Sequence, residues 1–275
     1  MDPLTAILIF GVIVLITHLL EGITGFGCTV LALPFAVMLL GLETAVPVLV
    51  VLAWLLSTYI VLTSRKHIQW KQFAFIAVYA GIGLPVGMIL FGYLPESALK
   101  MLLGFFMIGV GVRGFIKTLH TGYAVAAGQD CRSIWMKLVL VSGGIIHGAF
   151  GSGGPFVVIY AGRALPDKSL FRVTLCMLWT ILNTILMIKW TAAGDVWSPA
   201  VFKIIGISLP FLIAGTLIGD WLHHRVNERL FRLAVYGVLF LAGVAMLYGV
   251  LSPQNRVEQM DDCNQRCLEQ HGGVE

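Results

Sequence analysis

A carboxylate and an imidazole occupy matching places in this sequence, each directly before a glycine run. Glu21 precedes Gly22-Ile23-Thr24-Gly25-Phe26-Gly27, and His147 precedes Gly148-Ala149-Phe150-Gly151-Ser152-Gly153. Both runs read G-x-x-G-x-G, at an offset of 126 residues. Glu and His can take and release protons, and His18 lies one turn before Glu21 on the same helix face. The glycines offer another chemistry. Without a Cβ they accept left-handed backbone and let a bound group approach main-chain N–H groups closely. An apolar helix is predicted after each run, starting near Cys28 and near Gly154. The first N–H groups of a helix have no intrahelical partner and carry the positive end of its dipole. Two such ends meeting, one from each half, make a place for an anion. The anion-binding set read from the sequence is Thr24, Gly25, Gly27, Cys28, Thr58, Gly151, Ser152, Gly153, Gly154 and Asn183, with Glu21 and His147 as a proton-coupling pair.

Each of these residues also has a plainer reading. Glycines spaced along apolar helices let backbones pack closely, which suits Gly81, Gly83, Gly87, Gly215 and Gly219. Thr58 and Asn183 could bond between helices, and Trp54 and Trp179, one turn before them, are packing residues that could also line a cavity wall. Ser152 near His147 suggests a serine hydrolase, but Phe150 stands where G-x-S-x-G requires glycine. Cys28 and Cys176 lie in apolar stretches, Cys131 in a loop, and Cys263 and Cys267 in a polar tail. That scatter predicts neither a metal site nor a cofactor. No G-x-x-x-x-G-K-[ST] phosphate loop occurs, so nucleotide drive within this chain is not expected.

The elements that must hold these residues are apolar. Of 275 residues 58% are hydrophobic and 12% charged, against roughly 25% charged in soluble domains. One water-soluble globule could not hide that surface. Composition thus excludes a soluble enzyme, a nucleic-acid binder and a disordered hub, and the +4 net charge reads as loop charge that sets orientation. Met1-Asp2-Pro3 lacks the basic start of a secretory signal. Residues 44–64, 73–93, 97–119, 169–190, 199–219 and 230–250 each reach the length of about 20 residues that a spanning helix needs. Residues 4–20, 29–41, 135–147 and 155–163 are shorter or interrupted, and form two pairs joined by the glycine runs.

The halves read alike: at an offset of 125, Trp54 falls on Trp179, Thr58 on Asn183 and Pro85 on Pro210. Each half runs short, short, long, long, long, which signals an internal repeat. Five elements is odd, so the second half enters from the opposite side of the membrane. With alternating loops, all of the 18 Lys and Arg residues except Lys100, Lys189, Lys203, Arg256 and Arg266 share one side. That side is predicted to be cytoplasmic, with both termini outside. The predicted fold is an all-α polytopic membrane protein of two inverted-topology repeats, the first two elements of each short or re-entrant. The repeats are residues 1–120 and 134–251, with a cytoplasmic linker at 121–133 and a polar tail at 252–275.

This order of segments, duplicated with Gly-x-Gly turns opening each half, resembles the sulfite exporter TauE/SafE family. The likeness is carried by GITGFGCTVLALP at residues 22–34 and GAFGSGGPFVVIY at 148–160, and by the Trp54 and Trp179 helices. It spans about residues 4–250. It implies a bacterial inner-membrane transporter of small sulfur-containing or organic anions, and carries the paired turns onto Gly22, Gly25, Gly27, Gly148, Gly151 and Gly153. Cys28 stands where a further glycine is common, and Tyr160 where the first half has Pro34.

Inverted repeats with interrupted helices at matching positions point to a secondary transporter with a midplane site. The expected function is export of a small anion by alternating access, with protons as coupling ion. The inside-negative potential favours efflux by about 2.3 kcal/mol per charge per 100 mV. The alternatives are an anion channel and, last, an intramembrane serine hydrolase. Membrane lipid is the expected surrounding, with no nucleic-acid partner and no oligomeric state specified.

Overall fold

The computed structural model describes residues 3–24, 28–120, 133–165, 167–194, 196–222 and 228–251. These form ten α-helices and, among the described residues, no strand: α1 (Pro3–Thr24), α2 (Cys28–Leu40), α3 (Leu42–Ser64), α4 (Trp70–Tyr93), α5 (Glu96–His120), α6 (Ile134–Phe150), α7 (Gly154–Ala164), α8 (Lys168–Ala193), α9 (Pro199–Leu222) and α10 (Glu228–Leu251). Gly25, Gly27, linker residues 121–132 and the polar tail lie outside the described residues, as does the side chain of Thr24.

Helices dominate because a bilayer leaves backbone polar groups no partner outside the segment. Pro34, Pro47, Pro85 and Pro210 sit inside α2, α3, α4 and α9, which membrane helices tolerate where neighbours re-satisfy the freed groups. Six helices are long and apolar enough to cross a membrane, over Thr5–Ile23, Leu42–His67, Trp70–Tyr93, Glu96–Ile116, Ser169–Ala193 and Pro199–Leu222. α1 is longer than the 4–20 segment read from the sequence, because its helix continues through Glu21 to Thr24. The other early elements stay short. The 11 residues of α7 rise only about 16 Å, half of a roughly 30 Å hydrocarbon core.

Large apolar side chains face outward around the perimeter, with Leu62 and Met38 each 70% exposed and Trp135 72%. Such a surface suits lipid and not water. The chain is a multi-pass membrane protein with its core at the centre: 61% of the α3 spanning window and 50% of that in α8 is buried, against 28% in α4.

The strongest packing pairs are α4 with α6, α1 with α9, α5 with α10, and α3 with α8. Exchanging the halves, α1 for α6 through α5 for α10, turns the first pair into the second and returns the other two to themselves. This pairing is what a two-fold related repeat requires. Glycine permits the closest pairs. A Cβ at Gly83, Gly87, Gly144 or Gly148 would overlap the carbonyl oxygen of Val141, Ile145, Ala80 or Leu84 across the α4–α6 contact. One at Gly215 or Gly219 would overlap that of Leu15 or Leu19 across α1–α9. Gly81 faces open space instead, so it takes no part in this contact.

Candidate functional site

The glycine runs divide by position. Their first members are packing residues: Gly148 meets α4, and a Cβ on Gly22 would stand 3.1 Å from Cα of Gly219. The later members of the second run build the turn. In the second half α6 ends on Gly151, whose N–H donates to the carbonyl of His147 at 2.7 Å with φ of 63°, a left-handed conformation that favours glycine. The chain then reverses through Ser152 and Gly153 into α7. Gly153 is closed to side-chain substitution by α6, because a Cβ would overlap the carbonyl of Gly143 and stand 2.8 Å from Cβ of His147. Close packing, and not ligand approach, is the constraint the structure places on Gly153.

One cavity lies between the halves. It is lined by Glu21 of α1, Thr29 and Val30 of α2, Ala53 of α3, His147 of α6, Gly151, Ser152 and Gly154 at the turn, and Trp179 and Asn183 of α8. Of the residues predicted from sequence, Glu21, His147, Gly151, Ser152, Gly154 and Asn183 are gathered there. Cys28, Thr58 and Gly153 are not among its lining residues. Thr58 holds a buried hydroxyl oxygen without a partner on α3. Thr29, Val30 and Ala53 were not legible as site residues; only their proximity to Cys28 and Trp54 in the chain hinted at them.

The pseudo-equivalent acid and base each bond to the start of the short helix in their own half. The Cys28 N–H donates to Oε2 of Glu21 at 2.8 Å, so the carboxylate is the resident acceptor at the α2 N-terminus. In the second half, the Gly153 N–H reaches Nδ1 of His147 at 3.4 Å, and Nε2 of His147 bonds Oδ1 of Asn183 at 3.0 Å. With Nε2 donating to the amide oxygen and Nδ1 accepting, this ring is the neutral Nε2–H tautomer. A proton on Nδ1 would oppose the Gly153 N–H. Trp179 stacks on the ring, 5.4 Å between centroids and 18° between planes. Its counterpart Trp54 does something else, donating Nε1–H to Thr184 Oγ1 at 2.9 Å and tying α3 to α8. His18 donates Nδ1–H to the Val14 carbonyl at 2.8 Å and does not line the cavity.

The two helix N-termini therefore differ. That of α2 is filled by Glu21. That of α7 has no side-chain cap, and beside it the Ser152 hydroxyl, 2% exposed, lines the cavity with no hydrogen-bond partner. A buried hydroxyl without a partner costs about 1–3 kcal/mol, so the arrangement suits an acceptor entering from the cavity. His147 bonds Asn183 and Gly153, not Ser152, so the nucleophile–base contact of a serine hydrolase is not made. Tyr160, where the first half has proline, pins α7 to α4: its hydroxyl donates to Gln72 at 2.8 Å and its ring stacks on Phe75.

A multi-pass helical bundle with a polar cavity at two helix reversals is the architecture of a membrane transport protein. The profile of the Sulfite exporter TauE/SafE family matches residues 9–246, and the chain belongs to that family. Among curated proteins, a probable sulfite/organosulfonate exporter TauE from Cupriavidus necator is 25% identical over 192 residues, which cover 68% of this chain and 72% of that protein. No solved structure matches the chain.

Proposed function

We propose that this protein is a secondary transporter that exports a small sulfur oxyanion or organosulfonate across the inner membrane by alternating access of its two halves. The observation that carries the reading is the unpartnered Ser152 hydroxyl beside the uncapped start of α7, inside the cavity between the halves. An oxyanion there accepts from Ser152 and from the N–H groups of Gly154 and Phe156, Pro155 between them having none, and the helix dipole favours its charge. Asn183 and His147 complete the wall. The C. necator relative, named for sulfite and organosulfonate export, supports this substrate class. In this reading both termini lie outside, which the distribution of basic loops supports.

Glu21 is the proposed proton carrier. Its carboxylate holds the α2 N-terminus and lines the cavity, so protonation removes a resident charge next to the anion. Counterflow in proteoliposomes with sulfite, sulfonates and carboxylates tests the substrate class. Exchange of sulfite or a sulfonate, lowered in Ser152→Ala, supports the reading. Exchange confined to carboxylates, or none, overturns it.

A further inference from the structure

A cation enters the buried part of α8 where the sequence suggested only a cytoplasmic loop charge. Arg172 is 9% exposed. Its Nη2 donates to Oδ1 of Asp220 on α9 at 2.8 Å, while the Asp220 side chain is half exposed. The pair is one-pronged, and Nε of Arg172 is buried with no partner. A guanidinium presents donors in a fixed fork suited to two oxygens at once. A purely structural ion pair between α8 and α9 leaves that Nε–H unexplained, because a buried donor without an acceptor is costly.

Position adds a second argument. Arg172, Cys176, Trp179 and Asn183 follow at spacings of four, three and four, which puts them on one face of α8. All four are buried, at 9%, 0%, 6% and 1% exposure. The face rises about 16 Å from Arg172 to Asn183, and its last two members line the central cavity.

We propose that Arg172 is a second oxyanion site, a receiving station at the α8 N-terminal end that binds the anion through Nε–H and an Nη–H. Asp220 is its internal competitor, displaced when the anion arrives. The station rests on the anion-transport reading for its occupant, but its geometry is separate from the Ser152 turn.

The test is sulfite-dependent thermal stabilisation of the purified full chain in detergent. Asp220→Asn keeps Arg172 in place and removes the competitor, so its half-saturating sulfite concentration is expected to fall about tenfold. Arg172→Gln is expected to raise it at least tenfold, and Arg172→Lys to fall between, since an ammonium keeps the charge but loses the fork. A merely structural pair lowers the melting temperature of both variants and leaves the sulfite dependence of each unchanged, which overturns the station. So does a wild type that sulfite does not stabilise. Sulfite counterflow keeps the two readings apart. Stabilisation through Arg172 without any exchange across proteoliposomes removes the transport reading and leaves the station standing.

Discussion

Ser152 and Glu21 carry opposite expectations for the same anion. Ser152→Ala deletes one hydrogen bond to a charged ligand, a loss of about 1.5–3 kcal/mol. The half-saturating sulfite concentration in counterflow is therefore expected to rise roughly 10- to 100-fold, with the folded yield unchanged because no protein group loses a partner. Glu21→Gln keeps an oxygen that can accept from the Cys28 N–H, so α2 stays capped. The variant loses a negative charge from the cavity wall and can no longer carry a proton. Exchange of sulfite is expected to persist or strengthen, while stimulation of net transport by a pH gradient is lost. A Glu21→Gln protein that keeps the wild-type response to the gradient moves coupling elsewhere. His147→Gln tests the other member of the pair in the same assay. His147 is held as a neutral ring between Gly153 and Asn183, so protonating it must break the Gly153 contact.

At the scale of elements, the glycines sort into two kinds that substitution can separate. Gly148 and Gly87 face each other's backbones where α6 crosses α4, and a Cβ at either position overlaps a carbonyl oxygen of the other helix. Overpacking of this kind costs about 1–3 kcal/mol or more. Gly148→Val is expected to abolish the monodisperse peak in size-exclusion chromatography of detergent extracts. Gly81, which faces open space, provides the control: Gly81→Ala is expected to leave that peak intact. Gly153→Val belongs with Gly148, since its Cβ overlaps α6. Loss of transport in that variant would report on the turn's packing, and Ser152→Ala is the cleaner probe of the anion.

For the whole molecule, the repeat makes a prediction about sides. The connection at Arg65–His67, between α3 and α4, corresponds by exchange of halves to the connection between α8 and α9. If the halves are inverted, these two lie across the membrane from one another. In a chain freed of native cysteines, Ala193→Cys, exposed at the end of α8, is expected to react with an impermeant thiol reagent added outside intact cells. His67→Cys, also exposed, is expected to react only after the membrane is opened. Labelling of both from outside overturns the inverted arrangement.

Membrane class, helical content and the short elements at α2, α6 and α7 were set by local properties that a chain carries wherever it folds: apolar length, glycine spacing and low charge. The turn at Gly151 was legible for the same reason, since a left-handed residue closing an apolar helix is a local requirement that glycine meets. What the tertiary structure alone decided is which groups confront one another across the halves. The sequence treats Gly148 and Gly151 alike, and Trp54 and Trp179 alike. Only packing makes Gly148 a helix contact, turns Trp54 to Thr184 and lays Trp179 on His147. Pattern likewise placed Arg172 among loop charges, because charge counting registers proximity to a segment end and not burial. Its orphaned Nε exists only because packing buries Arg172 and supplies one acceptor, Asp220 of α9, to Nη2 and none to Nε. Hydrogen-bond satisfaction is a property of the assembled neighbours, so it is fixed when the helices pack and not before.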